Sequence, residues 1–120
     1  MVRNIIITKD QLLSVIKNGE FSRDVIGSQN IVVVVMTQDW CPQWTSMKNW
    51  LYSIQTDKDI DIYELVYNKS NYFYEFKNFK ETRWRNFDIP YVRFYKNGSM
   101  FKQTNYISEN EFMSIIESMS

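Results

Sequence analysis

Cys41 is the single thiol of the chain, and it stands in the stretch Asp39-Trp40-Cys41-Pro42-Gln43-Trp44. A thiolate is a nucleophile that can exchange with disulfides, be capped reversibly or be oxidised. The flanking residues place this sulfur. Just before it, Ile31 to Met36 is an unbroken apolar run with four consecutive valines. Such a run reads as a strand buried on both faces, at the centre of a parallel or mixed sheet. Just after it, Pro42 suits the first position of a helix, where its missing N–H would be unpaired anyway. Met47, Trp50, Leu51 and Ile54 then fall at i, i+3, i+4 and i+7, the spacing of an amphipathic helix. Cys41 is therefore predicted at a helix N-cap, where free N–H groups and the positive end of the helix dipole favour a thiolate.

The sequence also excludes chemistry. It has no histidine, so no Cys-His or Ser-His-Asp nucleophile can form within the chain. One cysteine without histidine leaves no structural zinc site and no intrachain disulfide, so no metal is expected; an intermolecular disulfide through Cys41 stays open. Asp57, Asp59 and Asp61 alternate as calcium ligands do, but the glycine and the downstream glutamate of a calcium loop are missing. They read as a polar turn. Lys plus Arg and Asp plus Glu are balanced at 14 each, which gives no argument for nucleic acid or an anionic membrane. Arg83, Arg85 and Arg93 around Trp84 read as a solvated helix end and strand face. No apolar stretch approaches the ~18 residues of a membrane span, and the apolar core of the N-terminus is too short for a signal peptide. A cytoplasmic protein with a reduced thiol is the expectation.

The elements that must position Cys41 follow in order. Ile5-Ile6-Ile7 reads as a first strand, and Thr8-Lys9-Asp10-Gln11 as a capping box opening a helix that stops near Asn18-Gly19. Residues 20 to 30 look turn-like. After the cysteine helix, Ile60 to Tyr67 is a third strand, and Ser70-Asn71 opens a helix to about residue 84. In it Tyr72, Phe76 and Phe79 mark the core side, Lys77, Lys80 and Glu81 read as solvated, and Phe73 or Tyr74 is left for a contact surface. Tyr91 to Lys96 and Ser99 to Gln103 flank Asn97-Gly98, a strong hairpin signal. Ser108-Glu109-Asn110-Glu111 is a second capping box, stapled by Ile107 and Phe112. The predicted order is β-α-β-α-β-α-β-β-α over residues 1–120 as one α/β domain, with a central mixed sheet and helices on both faces.

On this order, three motifs resemble the thioredoxin family. Trp40-Cys41-Pro42-Gln43-Trp44 resembles its Trp-Cys-Gly-Pro-Cys loop, Ile89-Pro90 its Ile-Pro pair, and Tyr95-Lys96-Asn97-Gly98 its Phe-Lys-x-Gly turn. The resemblance covers nearly the whole chain. It implies that Cys41 is the attacking cysteine, that Pro90 is cis and faces it, and that Trp40, Pro42, Trp44, Ile89 and Pro90 line a shallow groove for an extended peptide. The departures are as informative. The family's second, resolving cysteine aligns with Trp44, its buried aspartate with Val35, a nearby tryptophan with Gln38 or Thr37, and a helix proline with Asn49. Without a second thiol a mixed disulfide at Cys41 has no internal release. Without that thiol a buried base has no proton to move, and Val35 avoids its desolvation.

The resemblance thus implies a monothiol, externally resolved thiol–disulfide function acting on protein or peptide thiols and disulfides. No bound cofactor is expected; glutathione is the candidate co-substrate. The alternative is a non-catalytic module that holds a peptide or protein in the Trp40/Trp44/Pro90 groove, with Trp44 either an anchor there or folded against its helix. The expected state is a monomer, or a Cys41-linked dimer on oxidation. Nucleic acid and membrane are not expected partners.

Overall fold

The valine run is the middle of the sheet. In the computed structural model, which describes residues 1–119, the strands are β1 (Val2–Ile6), β2 (Ile31–Thr37), β3 (Ile60–Val66), β4 (Tyr91–Lys96) and β5 (Ser99–Thr104). The helices are α1 (Lys9–Asn18), α2 (Arg23–Ile26), α3 (Pro42–Leu51), α4 (Phe73–Thr82) and α5 (Glu109–Ser118), with a 3-10 turn at Tyr67–Lys69. The strand order is β1-β3-β2-β4-β5. β2 pairs in parallel with β3 and antiparallel with β4, so all seven of its residues are buried. Its alternate side chains feed two cores. Val32, Val34 and Met36 pack with α1, α2 and α4. Ile31, Val33 and Val35 pack with α3 and α5 on the opposite face. Two helical layers thus clamp a sheet whose centre has no wet side.

Local signals set the element ends. Thr8 and Ser108 each complete a reciprocal capping box, with Gln11 and Glu111. Gly19 ends α1 in the left-handed region at φ 83°. The β4–β5 turn needs positive φ at both central positions; Asn97 has 51° and Gly98 has 80°, the geometry that matches the twist of a hairpin. β1 is an edge strand that pairs with β3. There the Arg3 guanidinium, on the residue that faces Asp61 across the ladder, grips both carboxylate oxygens at 2.8 and 2.6 Å.

Four expectations need correction. Residues 20 to 30 are not all turn: Arg23–Ile26 form one helical turn that buries Val25 and Ile26, and four residues are too few for a periodic signal. Asp61 is not in a polar turn but inside β3, 1 % exposed, its charge met by Arg3 and by the Ser28 hydroxyl at 2.7 Å. Arg93 is not solvated. It is 7 % exposed, donating to Glu20 at 2.7 Å, Tyr95 at 2.7 Å and Tyr91 at 2.9 Å, with its guanidinium 4.0 Å from the Trp84 ring centroid. Lys80 is buried as well, on the same face of α4 as Phe76 and Phe79. In the last three cases a long cation or a carboxylate reached inside because fixed partners were there to meet it.

Candidate functional site

Cys41 ends the turn that follows β2. Its backbone N–H donates to the Gln38 carbonyl at 3.3 Å, and its own carbonyl accepts from Thr45 N–H at 3.1 Å as α3 begins. It is the N-cap residue of α3, but its side chain makes no capping hydrogen bond. The sulfur turns instead to the strand edge ahead of β4, where the thiol donates to the Ile89 carbonyl at an S···O distance of 3.8 Å. The Ile89–Pro90 peptide bond is cis. The predicted loop and the predicted Ile-Pro pair are thus brought together across 48 residues of sequence.

The turn is pinned from one side. Asp39 N–H donates to Asn68 Oδ1 at 3.0 Å while Asn68 Nδ2 donates back to Asp39 Oδ1 at 2.6 Å. The Trp40 indole N–H donates to Gln38 Oε1 at 2.5 Å, and Gln38 Nε2 donates to the Tyr67 hydroxyl at 3.2 Å. Burial raises the Tyr67 phenol above its ordinary value, so it stays a neutral hydroxyl. These contacts fix the Trp40 ring by its edge while leaving it 64 % exposed. Tyr74 at the start of α4 and Phe87, two residues before Ile89, are also largely exposed. Pro42 is exposed and Ile89 partly so; Pro90 is buried.

Two predicted features change meaning. Trp44 does not line a groove. It is 1 % exposed and packs in the α3–α5 core with Val33, Val35, Met47 and Leu51, edge-on to Tyr52 with centroids 6.4 Å apart. The helix turns its side chain inward, which leaves Trp40, Pro42 and Ile89 as the predicted lining residues with exposed surface. Cys41 itself is only 4 % exposed. Its sulfur lies beneath the surface, in the same core as Val35. Among the described residues the only buried carboxylate is Asp61, which Arg3 and Ser28 already occupy. A cleft of about 470 Å³ between Ile6, Leu12 and Tyr72 involves neither Trp40, Cys41 nor Ile89.

No family model matches the sequence, and no curated protein matches it. Solved structures do. A mutant thioredoxin from Halobacterium salinarum NRC-1 superposes with a TM-score of 0.67 at 15% identity, covering 98% of this chain and 90% of that one. The chain has a thioredoxin-like fold. Thioredoxin O1 from Arabidopsis thaliana, in its oxidised state, gives a TM-score of 0.66 at 12% identity over 98% of this chain and 96% of its own. Spinach chloroplast thioredoxin f gives 0.61 at 15% identity over 98% and 86%. Identities this low leave the function of this thioredoxin-like fold to its own residues.

Sequence reasoning missed part of the site. Gln38 and Tyr67, which orient Trp40, carried no signal, since a glutamine and a tyrosine 29 residues apart meet only in the fold. Asn68 and Asn105 were equally silent. Lys80 had a signal: it stands four residues after Phe76, on the apolar stripe of its helix.

Proposed function

We propose that this chain captures disulfide-bonded peptides or proteins at Cys41 and releases them to an external thiol such as glutathione. The observation that supports this most is the seating of the Cys41 sulfur at the N-terminus of α3, against the Ile89 carbonyl. In the first step the Cys41 thiolate attacks one sulfur of the disulfide. A bond forms from Sγ to that sulfur, the disulfide bond breaks, and the second sulfur leaves as a thiolate that takes up a proton. In the second step an external thiolate attacks the captured partner's sulfur. This restores the Cys41 thiolate and leaves the external thiol in a new disulfide with the partner. Trp44 offers no sulfur, so the second step has no internal version. The Ile89 backbone and the Trp40 face would hold the extended segment on either side of the reacting bond.

The test is thiol release from a disulfide peptide, with and without glutathione, compared with Cys41→Ser. Wild-type protein is expected to form a stoichiometric adduct without glutathione and to turn over with it. Equal release by wild type and Cys41→Ser would refute the reading.

The burial of the sulfur, at 4 % exposure, favours a second reading, in which the same surface binds a partner without covalent chemistry. Partner binding that survives Cys41→Ser and fails in Trp40→Ala would select it.

A further inference from the structure

Lys80 is 1 % exposed, yet no carboxylate pairs with it within salt-bridge distance among the described residues. Its ammonium instead donates to two backbone carbonyls, Asn86 O at 3.0 Å and Asp88 O at 2.8 Å, and lies 5.6 Å from the Tyr91 ring centroid. From the other side the Asn105 amide reaches Asp88 O at 3.0 Å, Pro90 O at 3.1 Å and Asn86 Oδ1 at 3.1 Å, two hydrogens shared among three acceptors. Asn86 Nδ2 donates back to Asn105 Oδ1 at 3.0 Å. Residues 86–90 lie ahead of β4 and have no ladder partner there. Their carbonyls converge, and converging carbonyls repel unless donors lie between them. The residue enclosed by this clasp is Ile89, whose carbonyl receives the Cys41 thiol. A core-filling role alone would be met by methionine or leucine, which bring no donor to Asn86 O or Asp88 O.

We propose that Lys80 is a positioning residue for the Cys41 site: with Asn105 it holds the 86–90 backbone so that Ile89 is presented both to the sulfur and to the extended segment of a partner. This rests on the capture chemistry proposed above and adds a control to it. The clasp depends on charge, because an ammonium donates more strongly than an amine and only the cation is attracted to the Tyr91 face. Burial pushes the ammonium down to about 8. Glu81 and Asp88 oppose that change and Lys77 adds to it. The Tyr91 ring is shared with the Arg93 guanidinium, 5.8 Å from its centroid. The edge is therefore held most firmly below pH 8 and loosens above it.

Two measurements test this. The first compares Cys41 capture of a disulfide peptide, which needs the edge, with its alkylation by iodoacetamide, which does not. Both need the thiolate, so the ratio of the two rates is independent of the thiolate fraction. In wild type this ratio should fall as pH rises through about 8, and Lys80→Met should lower it about tenfold at pH 7, as expected for loss of charged hydrogen bonds. A ratio independent of pH in wild type would overturn the proposal even if Lys80→Met does not fold. The second uses Cys41→Ser, which removes the thiol altogether. The Ile89 amide and Asn105 side-chain amide NMR signals should titrate near pH 8 there and lose that titration in Cys41→Ser with Lys80→Met. Signals that titrate in both proteins, or in neither, would overturn the clasp. If wild type captures no peptide, the capture reading fails, and the NMR titration still decides the clasp.

Discussion

Replacing Trp44 by alanine should unfold this protein more readily than any change at the exposed tryptophan beside it. Trp44 is 1 % exposed. Its ring fills the space between β2 and α3, meets Tyr52 edge-on at 6.4 Å and lies 5.6 Å from the Lys48 ammonium. Truncating a buried tryptophan removes its transfer free energy and leaves a cavity that the surrounding valines cannot fill, a loss of about 3–5 kcal/mol. For a domain of this size that lowers the melting temperature by about 10–25 °C. Trp44→Phe keeps a ring against Tyr52 and should recover part of the loss. Trp40→Ala removes a ring that is 64 % exposed and one hydrogen bond, and should stay within about 1 kcal/mol of wild type. The assay is guanidinium unfolding followed by far-ultraviolet circular dichroism for all four proteins. A Trp44→Ala loss below about 1 kcal/mol would refute the assignment of this side chain to the core and return Trp44 to the groove. It follows that a Trp44 variant cannot test partner binding until its fold is shown to be intact.

Stability should rise with pH because of Lys80. Its ammonium titrates near 10.5 in the unfolded chain and at about 8 in the folded one. Below pH 8 both states hold the proton; between the two values the folded chain has already released it, so wild type gains about 2 kcal/mol by pH 9.5. The difference between wild type and Lys80→Met should therefore change by that amount between pH 7 and 9.5 in chemical unfolding, and a constant difference would contradict the burial. Glu20→Ala strips the buried Arg93 guanidinium of its counter-charge at 2.7 Å. Because Glu20 is 36% exposed, the loss should be about 1–3 kcal/mol rather than that of a fully buried pair, again read by chemical unfolding. Thr8→Ala removes a capping side chain from α1 and should lower stability by about 1 kcal/mol, with early hydrogen exchange confined to that helix.

Backbone signals were the most legible part of the sequence. A short, almost wholly β-branched run with four valines read as a strand covered on both sides, and it is one. Two capping boxes and an Asn-Gly turn set chain direction at three places, and each uses residues within a few positions of one another. The sulfur and the Ile89-Pro90 edge were likewise recognisable by residue type and order. What could not be read was side-chain fate where two elements distant in sequence decide it. Trp44 could face out or in on α3, and only the packing of α5 and β2 against that helix settles it. Arg93, Lys80 and Asp61 looked solvated because charge usually is. Asp61 and Arg93 are inside because a counter-charge distant in sequence, Arg3 and Glu20, was placed to receive each; the nearer partners, Tyr91 and Tyr95 for Arg93 and the Asn86 and Asp88 carbonyls for Lys80, meet them only once the chain is folded.

The attachment of β1 carries a consequence for how the chain assembles. Among the described residues its one sheet partner is β3, and the Arg3–Asp61 pair spans 58 residues. On a growing polypeptide Ile5, Ile6 and Ile7 are made long before the strand they must lie beside, and the loop that joins them closes only after β3 has emerged. Closing so long a loop is slow compared with forming a local helix. The shorter connection between β2 and β3 favours their pairing first, with β1 docking later onto a surface already built. Until then its β-branched residues are an unpaired apolar strand, the feature by which a partly folded chain most readily sticks to another.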